Sequence, residues 1–219
     1  LGLATLLHRV GLRVGILDLD LENPSLGVAC GKSRADLGFA GELITPPLWH
    51  GVPIMSLSLM PLADFTYTPT MIDEERKHVV IQQLFREVAW GDLEALILDL
   101  PPGSGEEVRG MLALKPDALL LVSSPQRLSE VAVRRVIGMA DEYGLEILGL
   151  VENDLNNSGP LGSQGKSAVD AIAEDSGLPV LARIAWDERV FLAMEQGLPV
   201  TIPELGNAAR VVYERAKPG

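Results

Sequence analysis

Two stretches of this chain end apolar runs in carboxylates. One closes on Asp18-Leu19-Asp20. The other closes on Asp99 and then breaks into Leu100-Pro101-Pro102-Gly103-Ser104-Gly105. An uninterrupted apolar run such as residues 96–98 reads as a strand buried on both faces of a parallel sheet. Pro101 and Pro102 have no N–H to give a ladder, so the strand stops there. Asp99 is thereby expected at the carboxyl end of a central strand, the edge where open α/β sheets bind ligands. A lone carboxylate there suits a hard cation and a polyphosphate. It could instead cap the helix that follows. Asp18 and Asp20 are two apart, so an extended chain points both to one face, although Asp20 could also be a solvated turn residue. Acidic strand ends on one sheet edge, with a glycine-rich turn after one of them, form the layout of a phosphoryl-transfer site. Catalysis in such a site is positioning plus charge neutralisation.

The elements that must hold these residues can be read in order. Helical spacing covers residues 1–10, with Gly11 as a stop. A strand is expected at 13–19, then a turn at Asn23-Pro24-Ser25. A short helix is expected at 36–44, a strand at 52–59 and loop at 60–70. A long helix follows at 71–89, with Thr70 and Asp73 as a capping box and Ile72 in its buried stripe. The strand at 93–98 is followed by a helix at 106–114. A buried strand is expected at 118–123 and a helix at 129–143 that Gly144 ends. Then come a strand at 146–151, a polar loop at 154–164, a helix at 167–176, a strand at 180–184, and helices at 188–196 and 207–216. Strands alternating with helices of this length mean βαβ units. The expected fold class is α/β, doubly wound, with a mainly parallel sheet and helices on both faces.

Composition bounds the function. The 219 residues are read as a single domain. A net charge of −12 argues against sequence-independent nucleic-acid binding, which needs clustered Lys and Arg. The one cysteine, Cys30, rules out a disulfide framework within these residues and reads as a buried residue in a reducing compartment. No apolar run reaches the length of a membrane span. His8, His50 and His78 lack ligand spacing.

At this point the residues resemble a known family. DLDLENPSL, residues 18–26, looks like the DADxxxPS stretch of MinD-type P-loop ATPases. WGDLEALILDLPPGSG, residues 90–105, is similar to the signature of the Mrp-type branch, the iron–sulfur cluster carrier ATPases. SSPQ at 123–126, VEN at 151–153 and LPVLARIAWDERV at 178–190 fall where that branch has similar segments. The resemblance implies a MinD-like P-loop NTPase that binds ATP and Mg²⁺. It implies that Asp99 holds the metal through water and that Asp18 lies near metal and phosphates. Asp20 would orient the attacking water, and the backbone of Pro101, Pro102 and Gly103 would sense the γ-phosphate. Asn153 would read the adenine edge, and Asp187 would lie in the loop flanking the base. Asn153 could equally be a turn or cap residue, and Asp187 reads first as an N-cap. The implied activity is that of a cytoplasmic ATP-hydrolysing switch, a homodimer with protein clients, that assists iron–sulfur cluster assembly or transfer. A MinD- or ParA-like positioning ATPase and a degenerate interaction module are the alternatives.

Two departures qualify the resemblance. A phosphate loop needs a strand, G-x-x-x-x-G-K-[ST] and a helix, and the 219 residues hold no such motif; Gly31-Lys32-Ser33 is a false match. The family pattern places that loop a few residues before Leu1. The expectation is therefore a chain that starts after its family's first strand and phosphate loop, and that binds nucleotide poorly on its own. The second departure is the segment DLNNSGPLGSQGK, 154–166, where the branch carries Cys-x-x-Cys. With no second thiolate, ATPase ancestry is better supported than cluster ligation.

Overall fold

The computed structural model describes residues 1–60, 74–154 and 166–217. They fall into two compact units, Leu1–Pro101 with Arg189–Thr201, and Pro102–Glu188 with Ile202–Gly219. The expected Thr70–Asp73 capping box, Ile72 and nearly all of the loop at 154–164 lie outside the described residues.

In the first unit, helix α1 (Gly2–Arg9) buries Ala4, Thr5 and Leu7 and gives way to Gly11 at φ +86°. Strand β1 (Val14–Asp18) is buried at all five positions. It pairs in parallel with β5 (Val52–Met55) on one side and β6 (Ala95–Asp99) on the other. A two-residue strand, β4 (Leu48–Trp49), adds to β5 antiparallel through His50 and Gly51, both at positive φ. The order is β4-β5-β1-β6. This corrects the placing of the 96–98 run at the centre of a sheet: among the described residues β1 is central and β6 lies at an edge, half-buried. An apolar run reports that faces are covered and says nothing of which strand has partners on both sides.

Two further corrections fall here. The helix expected at 36–44 is absent. A 3₁₀ turn (Arg34–Asp36), closed by a Ser33–Asp36 capping box, leads into a hairpin of β2 (Gly38–Ala40) and β3 (Leu43–Thr45). Phe39, Ile44 and Thr45 favour extended backbone, and Gly41 takes the positive φ that the two-residue turn needs. The strand expected through residue 59 ends at Met55, because Ser56 turns its hydroxyl inward. The chain also forms helices α2 (Leu26–Ala29), not foreseen, and α3 (Glu74–Arg86), whose Ile81 and Leu84 are buried. The returning segment 189–201 is held where the Trp49 indole N–H donates to the Gly197 carbonyl at 2.8 Å. Gly197, at φ +66°, has the Gly31 backbone so close that an added Cβ would lie 2.9 Å from its nitrogen.

The second unit carries a three-stranded parallel sheet, β7 (Leu119–Ser123), β8 (Ile147–Asn153) and β9 (Val180–Ile184), in that order. Helices α4 (Glu106–Ala113), α5 (Arg127–Tyr143) and α6 (Ala168–Ser176) contribute Val108, Leu112, Val133, Ala140, Val169 and Ile172 to a core with Leu119, Leu121 and Leu150. Gly144, left-handed at φ +66°, ends α5 as expected. Ser167 and Asp170 form a reciprocal capping box at the start of α6. β8 runs two residues past its expected end, through Asn153. Val122 on β7 is exposed, so that strand is not covered throughout as expected. Helix α7 (Glu188–Glu195) follows β9 and, beyond Glu188, belongs to the first unit, while α8 (Gly206–Ala216) of the second buries Ala208 and Ala209. No described helix is long and apolar enough to cross a membrane.

Candidate functional site

Gly15 admits β1 to the middle of its sheet: a Cβ there would lie 2.7 Å from a Leu93 methyl carbon. The close packing carries β1 to its last residue with Asp18 opposite Asp99 in the β1–β6 ladder. Paired residues of a parallel ladder project to the same face, so the two carboxyl groups sit side by side at the strand tips. The ladder continues one step further, where the Leu19 N–H donates to the Asp99 carbonyl at 2.9 Å.

The two carboxyl groups have different surroundings. Asp18 is buried and accepts four hydrogen bonds. The Asp20 N–H reaches Oδ1 at 3.0 Å. The Ser25 and Leu26 N–H groups reach Oδ2 at 3.1 Å each, and the Ser56 hydroxyl reaches it at 2.9 Å. Asp18 thus ties β1 to the start of α2 and to the tip of β5. Ser58 extends the tie, since its hydroxyl accepts from the Gly27 N–H at 3.1 Å and meets the Ser56 hydroxyl at 2.8 Å. Asp99, by contrast, is exposed. Withdrawal of hydration around it pushes its carboxyl above the usual range, and Asp18 and Asp20 add to it as like charges.

Asp20 lies past the end of β1, in irregular backbone, and not on an extended strand as expected. It is half-buried, and its Oδ1 accepts the Asn23 N–H at 2.9 Å, which shapes the turn at Asn23-Pro24-Ser25. After Asp99, Pro101 is buried and Pro102 exposed. Gly103 takes φ +102°, a conformation that side-chain-bearing residues rarely adopt. Gly105 then precedes α4 and accepts the Arg109 N–H at 3.1 Å.

In the second unit, Asn153 is the last residue of β8, half-buried and paired with Ile184. Asp187 stands directly before Glu188, the first residue of α7, and is half-buried. Ser56 and Ser58 were not foreseen as site residues. Their signal was the S-x-S pattern directly after an apolar strand. Cys30 is buried, and burial pushes its thiol up to about 12. Among the described residues no three His, Cys, Asp or Glu side chains are grouped to hold a metal ion by themselves.

A family model described as ParA, NUBPL iron-transfer P-loop NTPase, matches residues 1–217. An iron-sulfur cluster carrier protein of Saccharolobus solfataricus is 31% identical over 209 residues, covering 90% of this chain and 69% of that protein. One of Mycobacterium leprae is 30% identical over 211 residues, covering 91% of this chain; the chain spans 54% of that relative's length. A Xenopus tropicalis protein named cytosolic Fe-S cluster assembly factor nubp2 is 29% identical over 236 residues, with 99% and 87% covered. Among solved structures, a nucleotide-binding protein of Archaeoglobus fulgidus in complex with ADP aligns with TM-score 0.70 and 28% identity, over 89% of this chain and 79% of that one. The septum site-determining protein MinD of Pyrococcus horikoshii aligns with TM-score 0.59 and 18% identity, over 98% and 86%, a likeness of fold. The fold is α/β with mainly parallel sheets, of the MinD-like P-loop NTPase kind.

Proposed function

Because this chain belongs to the ParA-type family of NUBPL iron-transfer P-loop NTPases, we propose that it is an ATP-binding, ATP-hydrolysing switch protein that assists iron–sulfur cluster assembly or transfer. The observation that carries this reading is the in-register pairing of Asp18 with Asp99 at adjacent strand tips, with Asp20 bonded to Asp18 just beyond. ADP in the Archaeoglobus structure supports a nucleotide as the ligand.

The donor set fits Mg²⁺. That ion is usually held by one or two carboxylates, waters and substrate phosphates, not by an all-protein cage, and the strand tips bring two carboxylates together. Asp99, the solvent-reachable carboxylate, would hold it, with Asp18 behind. Bound there, the ion would neutralise charge on the phosphates. The oxygens of Asp18 are engaged by four protein donors, so its main work is to fix the loop that carries Asp20. Asp20 binds the turn through Oδ1, and its other oxygen is assigned to orienting the attacking water. The backbone of Pro101, Pro102 and Gly103 is assigned to the γ-phosphate. In the second unit Asn153 is assigned to the adenine edge, and Asp187 to the loop beside the base. A homodimer, protein clients and a cytoplasmic setting complete the reading, the last in keeping with the name of the Xenopus relative.

The residues present do not fit a cluster ligand set. The one cysteine is buried, and its thiol stays protonated at neutral pH. A cluster would therefore be this protein's cargo and not its resident cofactor. The positioning-ATPase reading gains nothing from α8, where Arg210 is paired with Glu214 at 2.8 Å.

The test uses the protein expressed from its complete coding sequence. Mg²⁺-dependent ATP hydrolysis and cluster delivery to an apo-protein are measured for wild type and Asp20→Asn. Loss of kcat in the variant with little change in KM is expected. Unchanged kcat would remove Asp20 from the reaction, and absence of ATP hydrolysis in the wild type would overturn the proposal.

A further inference from the structure

We propose that Arg183 is a positioning residue for base recognition: its guanidinium ties the tip of β8, next to Asn153, to the first turn of α6. The proposal rests on the reading of Asn153 as the side chain that meets the adenine edge. Arg183 on β9 stands opposite Glu152 on β8 in the parallel ladder, so their side chains share a face of the sheet. Its Nη1 lies 2.9 Å from Glu152 Oε2 and donates to the Ser167 hydroxyl at 3.4 Å, while its Nη2 donates to Asp170 Oδ1. Ser167 and Asp170 are the two halves of the α6 capping box. One planar fork thus spans oxygens from two elements, a geometry that a lysine ammonium cannot reproduce.

An exposed ion pair contributes little, but this one is not exposed at its acidic end. The Glu152 side chain is only 12% accessible, and its Oε2 has no hydrogen bond beyond the Arg183 contact. Without the guanidinium that carboxylate is left buried and uncompensated. It must rotate outward or draw in water. Glu152 and Asn153 are consecutive on one strand and project to opposite faces, so a backbone shift that lets the first reach water displaces the second. The Asp154 N–H, which donates to the Ile184 carbonyl at 2.8 Å, is the next backbone bond to feel it.

The test compares wild type, Arg183→Gln, Arg183→Lys and Asn153→Ala in the protein expressed from its complete coding sequence. Equilibrium affinities are measured for ATP, GTP and inorganic tripolyphosphate. In Arg183→Gln the preference for ATP over GTP should fall about tenfold, the worth of one misaligned hydrogen bond. Tripolyphosphate affinity should be unchanged, and Arg183→Lys should recover part of the preference. Hydrogen exchange without nucleotide should be faster at the Asp154 and Asp170 amides in Arg183→Gln. Equal weakening of ATP, GTP and tripolyphosphate, or unchanged exchange at those amides, would overturn the proposal. Asn153→Ala separates the two layers. If it keeps the ATP preference, the base-reading role of Asn153 is wrong; if it loses the preference while Arg183→Gln keeps it, only the Arg183 tie is wrong.

Discussion

Replacing Asp18 is the sharpest probe of how the strand tips are built. In Asp18→Ala four donors lose their acceptor: the Asp20, Ser25 and Leu26 N–H groups and the Ser56 hydroxyl. A hydrogen bond to a charged group is worth about 1.5 to 3 kcal/mol net, and values within one network do not add. Each of these donors left buried without an acceptor costs about 1 to 3 kcal/mol, so about 3 to 5 kcal/mol for the network once some of them find water. Relief of repulsion with Asp99 and Asp20 returns on the order of 1 to 2 kcal/mol. The net loss is therefore about 3 kcal/mol. Asp18→Asn keeps one carbonyl oxygen, which can serve the three donors at Oδ2 as neutral bonds while its NH₂ faces the Asp20 N–H. Its loss should be about 1 to 2 kcal/mol. Urea unfolding at pH 7 reads both, followed by tryptophan fluorescence in a Trp186→Phe background, so that the signal comes from Trp49 and Trp90 of the first unit. With a slope of about 2 kcal/mol per molar, the alanine variant should unfold about 1.5 M earlier, and the asparagine variant about 0.5 to 1 M earlier. A loss below about 1 kcal/mol for alanine, or equal midpoints for the two variants, would refute the reasoning. Asp18 would then not be what binds β1 to α2 and β5.

Two further outcomes follow from the same geometry. With its thiol held near 12, Cys30 is only about one part in ten thousand thiolate at pH 8. A thiol-specific disulfide reagent should label it slowly in the native protein and rapidly in urea; fast native labelling would contradict its placement. The Asp170 carboxyl is held below its usual range, first by the Ser167 N–H and also by Arg183, against a smaller burial effect. Its folded value lies below its unfolded one. Its contribution is complete above an unfolded value of about 3.9 and fades as pH falls through the lower folded value. The stability gap between wild type and Asp170→Asn should therefore hold from pH 7 to 5 and narrow toward pH 3, as measured by urea melts at each pH. A gap of the same size at pH 3 would contradict the assignment.

Much of this was legible from residue order, and what was not has physical reasons. Gly11 and Gly144 marked helix ends because left-handed backbone admits glycine most readily. β9 was read at 180–184, directly after Gly177-Leu178-Pro179. The acidic strand ends were visible as single carboxylates closing apolar runs. Their adjacency became a fact only with the register Asp18 opposite Asp99, since strand order is set by long-range pairing that leaves no local trace. For the same reason β6 was misplaced at a sheet's centre. The 36–44 segment was misread because its apolar residues fit helical spacing, while the turn at Gly41 and the partner strand decided for a hairpin. Ser56 was passed over because it fell inside the strand expected at 52–59, where an extended serine carries no sign that its hydroxyl meets a buried carboxylate. Arg183 carries no signal of its own in the segment 178–190, because its partners lie on two other elements.

The central claim is that the acidic tips of β1 and β6 form the magnesium side of an ATP site. Its most direct test is Mg²⁺-dependent ATP hydrolysis by Asp99→Asn in the protein expressed from its complete coding sequence, with urea stability measured alongside. The account predicts that turnover is lost at every Mg²⁺ concentration while the unfolding midpoint is no lower than that of wild type, since the substitution relieves the repulsion with Asp18 and Asp20. Wild-type turnover in that variant would contradict it.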